Sequence, residues 1–273
     1  MSLQLATLVE EFSILPEQDS ATMRLLSLLD DPNVEGRDIA RVIEADPSMT
    51  ARLLTLANSA FFAVKNPVTN PWGAVMVVGF NVVRALAASG SLGLGDPAGE
   101  MPKGFFDHSI GSAAGAAVVA RQVGVRASDA FSAALLHDVG SPLLYRAARP
   151  RWEEAIVEDD EGNVRLCLTA ERAVFGSSHD QLGAQVMEYL HFPPSIVDVV
   201  ASHNNPSALV TSRLTRIVIA GIALAETAGH SSTTEPIADP IDAFEAVDLS
   251  FPPTETMLEE LENEIADLRA VLA

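Results

Sequence analysis

The spacing of apolar residues is the feature that most constrains what this chain can fold into. Apolar side chains recur three or four residues apart through most of the sequence, as in Leu53, Leu56 and Ala57, whereas alternating strand patterns are scarce. Such spacing places apolar side chains on one face of a helix. The chain has 273 residues and 48% hydrophobic content, so it can bury a substantial core. The sequence therefore predicts an all-α fold.

Several helix boundaries are marked by local sequence signals. Asp46-Pro47 combines an N-cap residue with a proline suited to the first turn, and Pro193-Pro194-Ser195 opens a later helix in the same way. Pro252-Pro253-Thr254 introduces the last helix. These signals predict helices that begin near residues 47, 194 and 255.

One internal stretch is the best candidate for a boundary. Ala85 to Pro102 is rich in Gly, Ser, Ala and Pro, which favours turns. We predict an N-terminal helical subdomain over 1–95, a second helical subdomain over 96–230 and an acidic C-terminal extension over 231–273. The Ala/Gly-rich helix from Ser109 to Ala120 suits close helix packing, so the two subdomains are expected to share one core.

The charge distribution narrows the range of partners. The formal net charge is -20, and residues 231–273 contribute half of it, with 11 acidic residues against one basic residue. Because phosphate binding depends on clustered Lys and Arg, which the chain lacks, the sequence argues against nucleic acid and anionic lipid as partners.

The predicted location is the cytoplasm. The longest apolar stretch, Ile217 to Ala225, is far shorter than the roughly 20 residues of a membrane span, so no membrane partner is expected. The segment Met1 to Glu11 lacks the pattern of a secretion signal. A lone cysteine, Cys167, excludes an internal disulfide and fits a reducing compartment.

The last predicted helix carries one apolar stripe along an otherwise acidic surface. Packing of this stripe on the body of the protein is favoured, because a sustained coiled coil usually needs at least about three heptads. Pairing with a second copy in a homodimer stays an alternative. The apolar positions are Met257, Leu258, Leu261, Ile265, Leu268 and Leu272.

Four of the six histidines lie at ends of predicted helices: His108, His137, His179 and His203. The adjacent pair His137-Asp138 follows an apolar run and precedes Val139-Gly140, which places it near a helix C-terminus. There, an imidazole and a carboxylate can converge on one cation, either Mn, Fe, Co, Ni or Zn, or Mg through the carboxylate.

The alternative for His137-Asp138 is a helix cap or a hydrogen-bonded core pair. The other three helix-end histidines favour the metal interpretation, because all four can meet around one cavity. His191 and His230 lack this setting and are predicted to lie at the surface.

These motifs resemble the HDOD family, the HD-related output domains of bacterial signalling, from about Leu15 to Pro206. The resemblance implies an all-helical fold in which an N-terminal helical subdomain packs on an HD-like subdomain. The matching N-terminal segments are Leu15-Pro16, Arg24-Leu25-Leu26, Asp46 to Leu54, Leu56 to Phe62 and Val78 to Arg84. The matching C-terminal segments are His108-Ser109, Ala134 to Gly140, Phe175-Gly176 with His179, and His203 before Pro206.

The resemblance also implies a set of metal ligands. The HD pattern of a histidine and a His-Asp pair corresponds to His108, His137 and Asp138, while His179 and His203 match positions that hold a second metal in binuclear relatives. This chain departs from the pattern at three positions. Gly221 or a near neighbour stands where related sequences have an aspartate, Ser141 replaces a lysine, and Asn204 follows His203 where a histidine is expected.

These departures favour a non-enzymatic signal-transduction or regulatory module with a degenerate HD-type site, acting through contacts with a signalling protein whose identity the sequence does not give. The alternative is a metal-dependent phosphohydrolase acting on a nucleotide or cyclic dinucleotide, in which metal-bound water is the nucleophile. A third possibility is a site that binds a metal or small ligand without hydrolysis.

Overall fold

A computed structural model describes residues 21–94, 101–158, 164–205, 209, 212–230 and 238–272. The family-like segment Leu15-Pro16, residue Pro206 and residues 95–100 of the proposed boundary lie outside these residues.

Between residues 21 and 94 the structure has five α-helices. They are α1 (Ala21–Leu29), α2 (Gly36–Glu44), α3 (Pro47–Ala57), α4 (Pro71–Val78) and α5 (Phe80–Ser91), with a short 3-10 helix at Ala60–Phe62. The first half of the predicted boundary, Ala85 to Ser91, is therefore helical, and Ala85 itself is fully buried.

The remaining described helices follow residue 101. They are α6 (Phe105–Gln122), α7 (Ala127–Leu136), α8 (Gly140–Ala148), α9 (Leu168–Phe175), α10 (His179–Tyr189), α11 (Pro194–Ser202), α12 (Arg213–Thr227), α13 (Pro240–Glu245) and α14 (Glu255–Leu272). A 3-10 helix at Arg149–Ala155 leads into a small antiparallel hairpin of β1 (Ile156–Glu158) and β2 (Val164–Leu166), in which Ile156 pairs with Leu166.

The predicted all-α fold is confirmed, with this one hairpin as an addition. The predicted helix starts are also found, since α3, α11 and α14 begin at Pro47, Pro194 and Glu255. Asp46 caps α3 by accepting hydrogen bonds from the backbone N–H groups of Ser48 and Met49. The N-terminal subdomain packs on the second one through contacts such as those between α5 and α7.

Helix α6 lies at the centre of the second subdomain, and every residue from His108 to Ala120 is buried. It contacts α7, α12 and α14. The approach to α12 is so close that a Cβ atom on Gly115 would lie 2.2 Å from the carbonyl oxygen of Gly221. A Cβ atom on Gly221 would lie 2.2 Å from the backbone nitrogen of Ala116. The two helices therefore meet backbone to backbone, and no side chain fits at either glycine.

The C-terminal helix α14 packs on the body of the protein, as the sequence predicts. Four residues of its apolar stripe, Met257, Leu261, Ile265 and Leu268, are buried, and the helix packs against α6 and α3. Polar side chains on either side of this stripe contact the rest of the protein. These contacts are Arg121 with Glu264, His230 Nε2 with Glu262 Oε1 at 3.2 Å, Arg269 with Asp107 at 3.0 Å, and the Ala60 N–H with Asp267 at 2.9 Å.

Within the described residues, no helix is long and apolar enough to cross a membrane alone. The pair α4 and α5 passes the same test of length and composition only when taken together, and the two are bent by 107° at their junction.

The glycine contact predicts a large loss of stability when a side chain is added. We expect Gly115→Ala and Gly221→Asp each to lower the free energy of unfolding by at least about 2 kcal/mol, because the new atoms overlap backbone that cannot move independently. Denaturant unfolding measures the loss.

Gly90→Ala is the matched control, because a Cβ atom there meets nothing within 4 Å. This substitution in α5 is expected to leave stability unchanged or slightly raised. Equal stability of the Gly115→Ala and Gly90→Ala variants would contradict the close contact.

A second prediction concerns the pH dependence contributed by Glu264. Burial raises the pKa of Glu264 to about 7 despite the opposing effect of Arg121. Because the folded-state pKa lies above the ordinary value of 4.5, folding loses stability from this group as pH rises from about 4.5 through about 7. Glutamine resembles the protonated carboxyl, so the gain in Tm of Glu264→Gln over the wild type is expected to be larger at pH 8 than at pH 5.

The exposed residue Glu259 on the same helix offers the control Glu259→Gln. Its effect on Tm should be similar at the two pH values. A Glu264→Gln effect that is the same at pH 5 and pH 8 would show that Glu264 titrates normally.

Candidate metal centre

The five residues singled out from the sequence lie at helix ends that meet in the interior. His108 lies in the first turn of α6, His137-Asp138 follows the last residue of α7, His179 opens α10 and His203 follows the end of α11. Each is only 1% exposed.

The five side chains form two groups that share Asp138. His108, His137 and Asp138 offer three ligand atoms within 4.8 Å of one another, and Asp138, His179 and His203 do the same. Nε2 of His108 lies 3.0 Å from Nε2 of His137, and Asp138 Oδ1 lies 3.0 Å from Nε2 of His179 and 3.8 Å from Nε2 of His203. Asp138 therefore belongs to both candidate ligand groups.

Gly140 allows the His-Asp turn to reach α10. A Cβ atom at this position would lie 1.9 Å from the carbonyl oxygen of His179. Helix α8 thus begins directly against the first residue of α10, which brings Asp138 and His179 together. The glycine that the sequence offers as a helix terminator also permits this contact.

Hydrogen bonds at Nδ1 fix the orientation of the His137, His203 and His179 rings. Nδ1 of His137 donates to the carbonyl oxygen of Ala134 at 2.6 Å, and Nδ1 of His203 donates to that of Val200 at 2.9 Å. Nδ1 of His179 lies 2.8 Å from Glu171 Oε1. With the proton on Nδ1, the Nε2 lone pair of each ring faces the interior of the cluster, as metal-ligating histidines require.

The protonation states of the first group suit metal binding. Burial lowers the pKa of His108 and holds that of His137 well below its ordinary value. Burial alone would raise the pKa of Asp138, but the positive charge of the neighbouring His179 ring holds it well below the usual range. At neutral pH the first group therefore has two neutral imidazoles and a carboxylate, and a cation displaces no proton from it.

His179 differs from these histidines. Burial would lower its pKa, but the carboxylates of Glu171 and Asp138 outweigh burial and raise it well above the ordinary value. A second proton on this ring occupies Nε2, the nitrogen that faces Asp138. A cation at the second group therefore competes with that proton.

Two observations show that the first group fits a cation. Oδ1 of the buried Asp138 carboxylate faces His179 at 3.0 Å, but within the described part of the chain Oδ2 has no hydrogen-bond donor. A buried carboxylate oxygen without a partner is unfavourable. The Nε2 atoms of His108 and His137 lie 3.0 Å apart, and Asp138 offers an oxygen within 4.8 Å of both, so the three residues would hold one cation together.

A cation held by His108, His137 and Asp138 would supply positive charge and Lewis acidity at this point. The mixed nitrogen and oxygen donors suit Mn, Fe, Co, Ni or Zn better than Mg.

Two polar residues of the cluster were not expected as contacts from the sequence. Glu171, fully buried on α9, accepts the backbone N–H of His179 at 2.7 Å as well as the ring N–H. Asn204 stands where the family pattern has the second residue of a histidine pair, and its amide contacts the rings of His179 and His203. Both contacts form between segments that turns of the chain bring together, so neighbouring residues do not predict them. The one local indication is Glu171 itself, a carboxylate on the short helix α9 that ends before Gly176.

The remaining histidines have different surroundings. His191 is exposed, as predicted, with 69% of its side chain accessible and Nδ1 2.6 Å from Asp30 Oδ2. The surface prediction for His230 was wrong, since only 13% of its side chain is exposed. It packs beside Gly111 of α6, where α12 ends close to the helix that carries His108.

Gly221 lies in the contact between α6 and α12. A residue at this position cannot supply a ligand to a cation bound by His108. The backbone of Gly221 touches Gly115 and Ala116, about two turns or roughly 10 Å along α6 from His108. Ser141, the residue that replaces a lysine, is buried in the first turn of α8. Neither position provides a carboxylate or a cation to the cluster.

The contact between Glu171 and His179 predicts a measurable change in ring titration. In metal-free protein, Glu171→Gln is expected to lower the pKa of His179, because the neutral amide no longer favours the imidazolium. A raised pKa stabilises the fold below the unfolded value near 6.5, and this stabilisation is lost as pH rises through the folded value. Nitrogen NMR of the imidazoles and unfolding at pH 6 and pH 9 measure the two effects.

The loss of stability in Glu171→Gln should therefore be larger at pH 6 than at pH 9. Glu188→Gln, at an exposed position on α10, is the control and should change neither quantity. An unchanged His179 titration in Glu171→Gln would show that the Glu171 carboxylate does not act on the ring.

Comparison with solved structures identifies relatives of the fold. A candidate phosphohydrolase from Shewanella amazonensis superposes with a TM-score of 0.70 at 20% identity, with both chains fully covered. An HDOD domain protein of unknown function from Geobacter sulfurreducens gives 0.63 at 24% identity, covering 98% of this chain and 97% of its own. A candidate signal transduction protein from Marinobacter aquaeolei gives 0.67 at 23% identity, covering 96% of this chain and 60% of the other.

These likenesses establish a shared all-helical fold. No protein of curated function matches the chain in sequence. The model of the HDOD domain, however, matches residues 15–206, about 70% of the chain and the span that carries all five clustered residues. The chain belongs to the HDOD family.

Proposed function

We propose that this chain is a non-enzymatic regulatory module of bacterial signalling that acts in the cytoplasm through contacts with a protein partner. In this proposal the His/Asp cluster holds a divalent cation as an internal structural or sensing element. The observation that carries the proposal is the burial of the cluster, because His108, His137, Asp138, His179 and His203 are each 1% exposed. A hydrolytic centre needs an open position for substrate and water.

The charge around the cluster supports the same proposal. Within the described residues, the ring nitrogens that face Asp138 belong to His179 and His203, and no lysine or arginine forms an ion pair with it. Phosphate esters require such cations or metal ions to neutralise their charge. Ser141, which replaces the lysine of hydrolytic relatives, is itself buried.

The N-terminal subdomain offers a surface for protein contacts. Trp72 and Met76 lie one turn apart on α4 and are 45% and 61% exposed. Large aromatic and methionine side chains are enriched at protein interfaces. This face of α4 is therefore our candidate for the partner contact.

The alternative function is metal-dependent phosphohydrolysis. The paired histidine groups around Asp138 favour it, because hydrolases with two metal ions use such adjacent sites. The Shewanella amazonensis relative is described as a candidate phosphohydrolase.

A turnover assay separates the two functions. Purified protein supplied with Mn²⁺, Co²⁺ or Zn²⁺ is incubated with nucleoside phosphates and cyclic dinucleotides. We expect no more product from the wild type than from His137→Ala, because substrate cannot reach the buried cluster. Chromatographic separation of the nucleotides measures product formation.

His191→Ala is the matched control, since His191 lies at the surface outside the cluster. Asp138→Asn is a nearly isosteric second variant in case His137→Ala does not fold. Hydrolysis by the wild type and His191→Ala that disappears in Asp138→Asn would refute the non-enzymatic proposal.

A further inference from the structure

The amide of Asn204 lies between two histidines of the cluster. Nδ2 of Asn204 is 2.6 Å from Nε2 of His179 and 2.8 Å from Nε2 of His203. Asn204 directly follows His203 at the end of α11 and is partly buried. One side chain thus contacts both imidazoles of the second group.

The tautomers of the two rings determine the direction of these hydrogen bonds. His203 donates from Nδ1 to the carbonyl oxygen of Val200, so its Nε2 carries a lone pair. Nδ1 of His179 faces Glu171, and its Nε2 faces both Asp138 and the amide of Asn204. The amide can donate a hydrogen bond to the Nε2 lone pair of His203 and at the same time lies in front of Nε2 of His179. Those two nitrogen atoms are the ones that a cation in the second group would use.

Among the described residues, no comparable amide lies in front of the ligand atoms of the first group. Nε2 of His108 and Nε2 of His137 face each other at 3.0 Å, and within the described residues their only hydrogen-bond contact at these atoms is with one another. Oδ2 of the shared Asp138 carboxylate has no donor among the described residues. Both groups have three suitable ligand atoms. Those of the first group are open to a cation, whereas Asn204 lies in front of two of those in the second group.

We propose that Asn204 is a neutral substitute for the second cation, so that the chain binds a divalent ion only at His108, His137 and Asp138. This inference rests on the cation binding included in the proposed function. The amide nitrogen and a metal ion cannot both occupy the space in front of the His179 and His203 Nε2 atoms. Asn204 thus sets the metal stoichiometry of the cluster.

Metal stoichiometry tests the proposal directly. Wild type, Asn204→Ala and Asn204→His are stripped with chelator and titrated with Co²⁺, with calorimetry and visible absorption as readouts and elemental analysis after gel filtration. We expect Asn204→Ala and Asn204→His each to bind about one ion more per chain than the wild type, because the second set of lone pairs becomes available. Asn204→His also adds a ligand of its own.

Two further variants locate the additional ion. Asn205→Ala, at the exposed neighbouring position, should bind as the wild type does. The double variant His203→Ala/Asn204→Ala should lose the additional ion, which distinguishes binding at the second group from adventitious binding elsewhere. Thermal unfolding without metal checks that each variant is folded.

Equal stoichiometry of the wild type and both Asn204 variants would overturn the proposal, as would an additional ion that persists in the double variant. These outcomes do not depend on the turnover assay. Hydrolysis by the wild type with an unchanged difference in stoichiometry would refute the non-enzymatic function while leaving the role of Asn204 intact.

Discussion

Helices α6 and α12 touch through Gly115 and Gly221. Helices α7 and α14 pack on the same central helix α6, so their positions depend on this contact. Because the two backbones meet without intervening side chains, α6 is buried from His108 to Ala120 and its first turn is fixed in the interior. Helix α7 packs along α6 and delivers His137-Asp138 to the same point, while α14 covers another side. The cluster is thus built on the ends of rigid helices, which suits precise placement of ligand atoms.

Buried charge is the second constraint on this interior. Asp138 and Glu171 are carboxylates with at most 1% exposure, and burial of such charges is unfavourable unless partners compensate them. Glu171 is compensated by two N–H groups of His179. Oδ1 of Asp138 faces His179, but Oδ2 has no donor among the described residues, which is the strongest structural argument for a cation.

The sequence predicts the fold well because its signals are local. Apolar spacing, the Asp46 cap and the proline at position 194 each depend on neighbouring residues, and all of them are found in the structure. The clustering of the five metal-ligand candidates was also predictable. Each lies at a helix end, and the family resemblance assigns all five to one metal site.

Contacts made across turns could not be predicted in this way. Glu171 reaches His179 only because the chain reverses at Gly176, which adopts a left-handed conformation. His230 looks like a loop residue in the sequence but packs against Gly111, since a glycine on α6 leaves room for it. The role of Gly221 likewise depends on the partner glycine 106 positions earlier in the chain.

The place of Asn204 beside His203 has a consequence at the level of the gene. Asparagine and histidine codons differ only in their first base, A or C, so a single transversion converts His203-Asn204 into a histidine pair. The polypeptide around the cluster need not be rebuilt for such a change, because the helix ends and the Glu171 contact are already in place. If Asn204 has the proposed role, this one-base change would alter the metal content of the protein without any change in its fold.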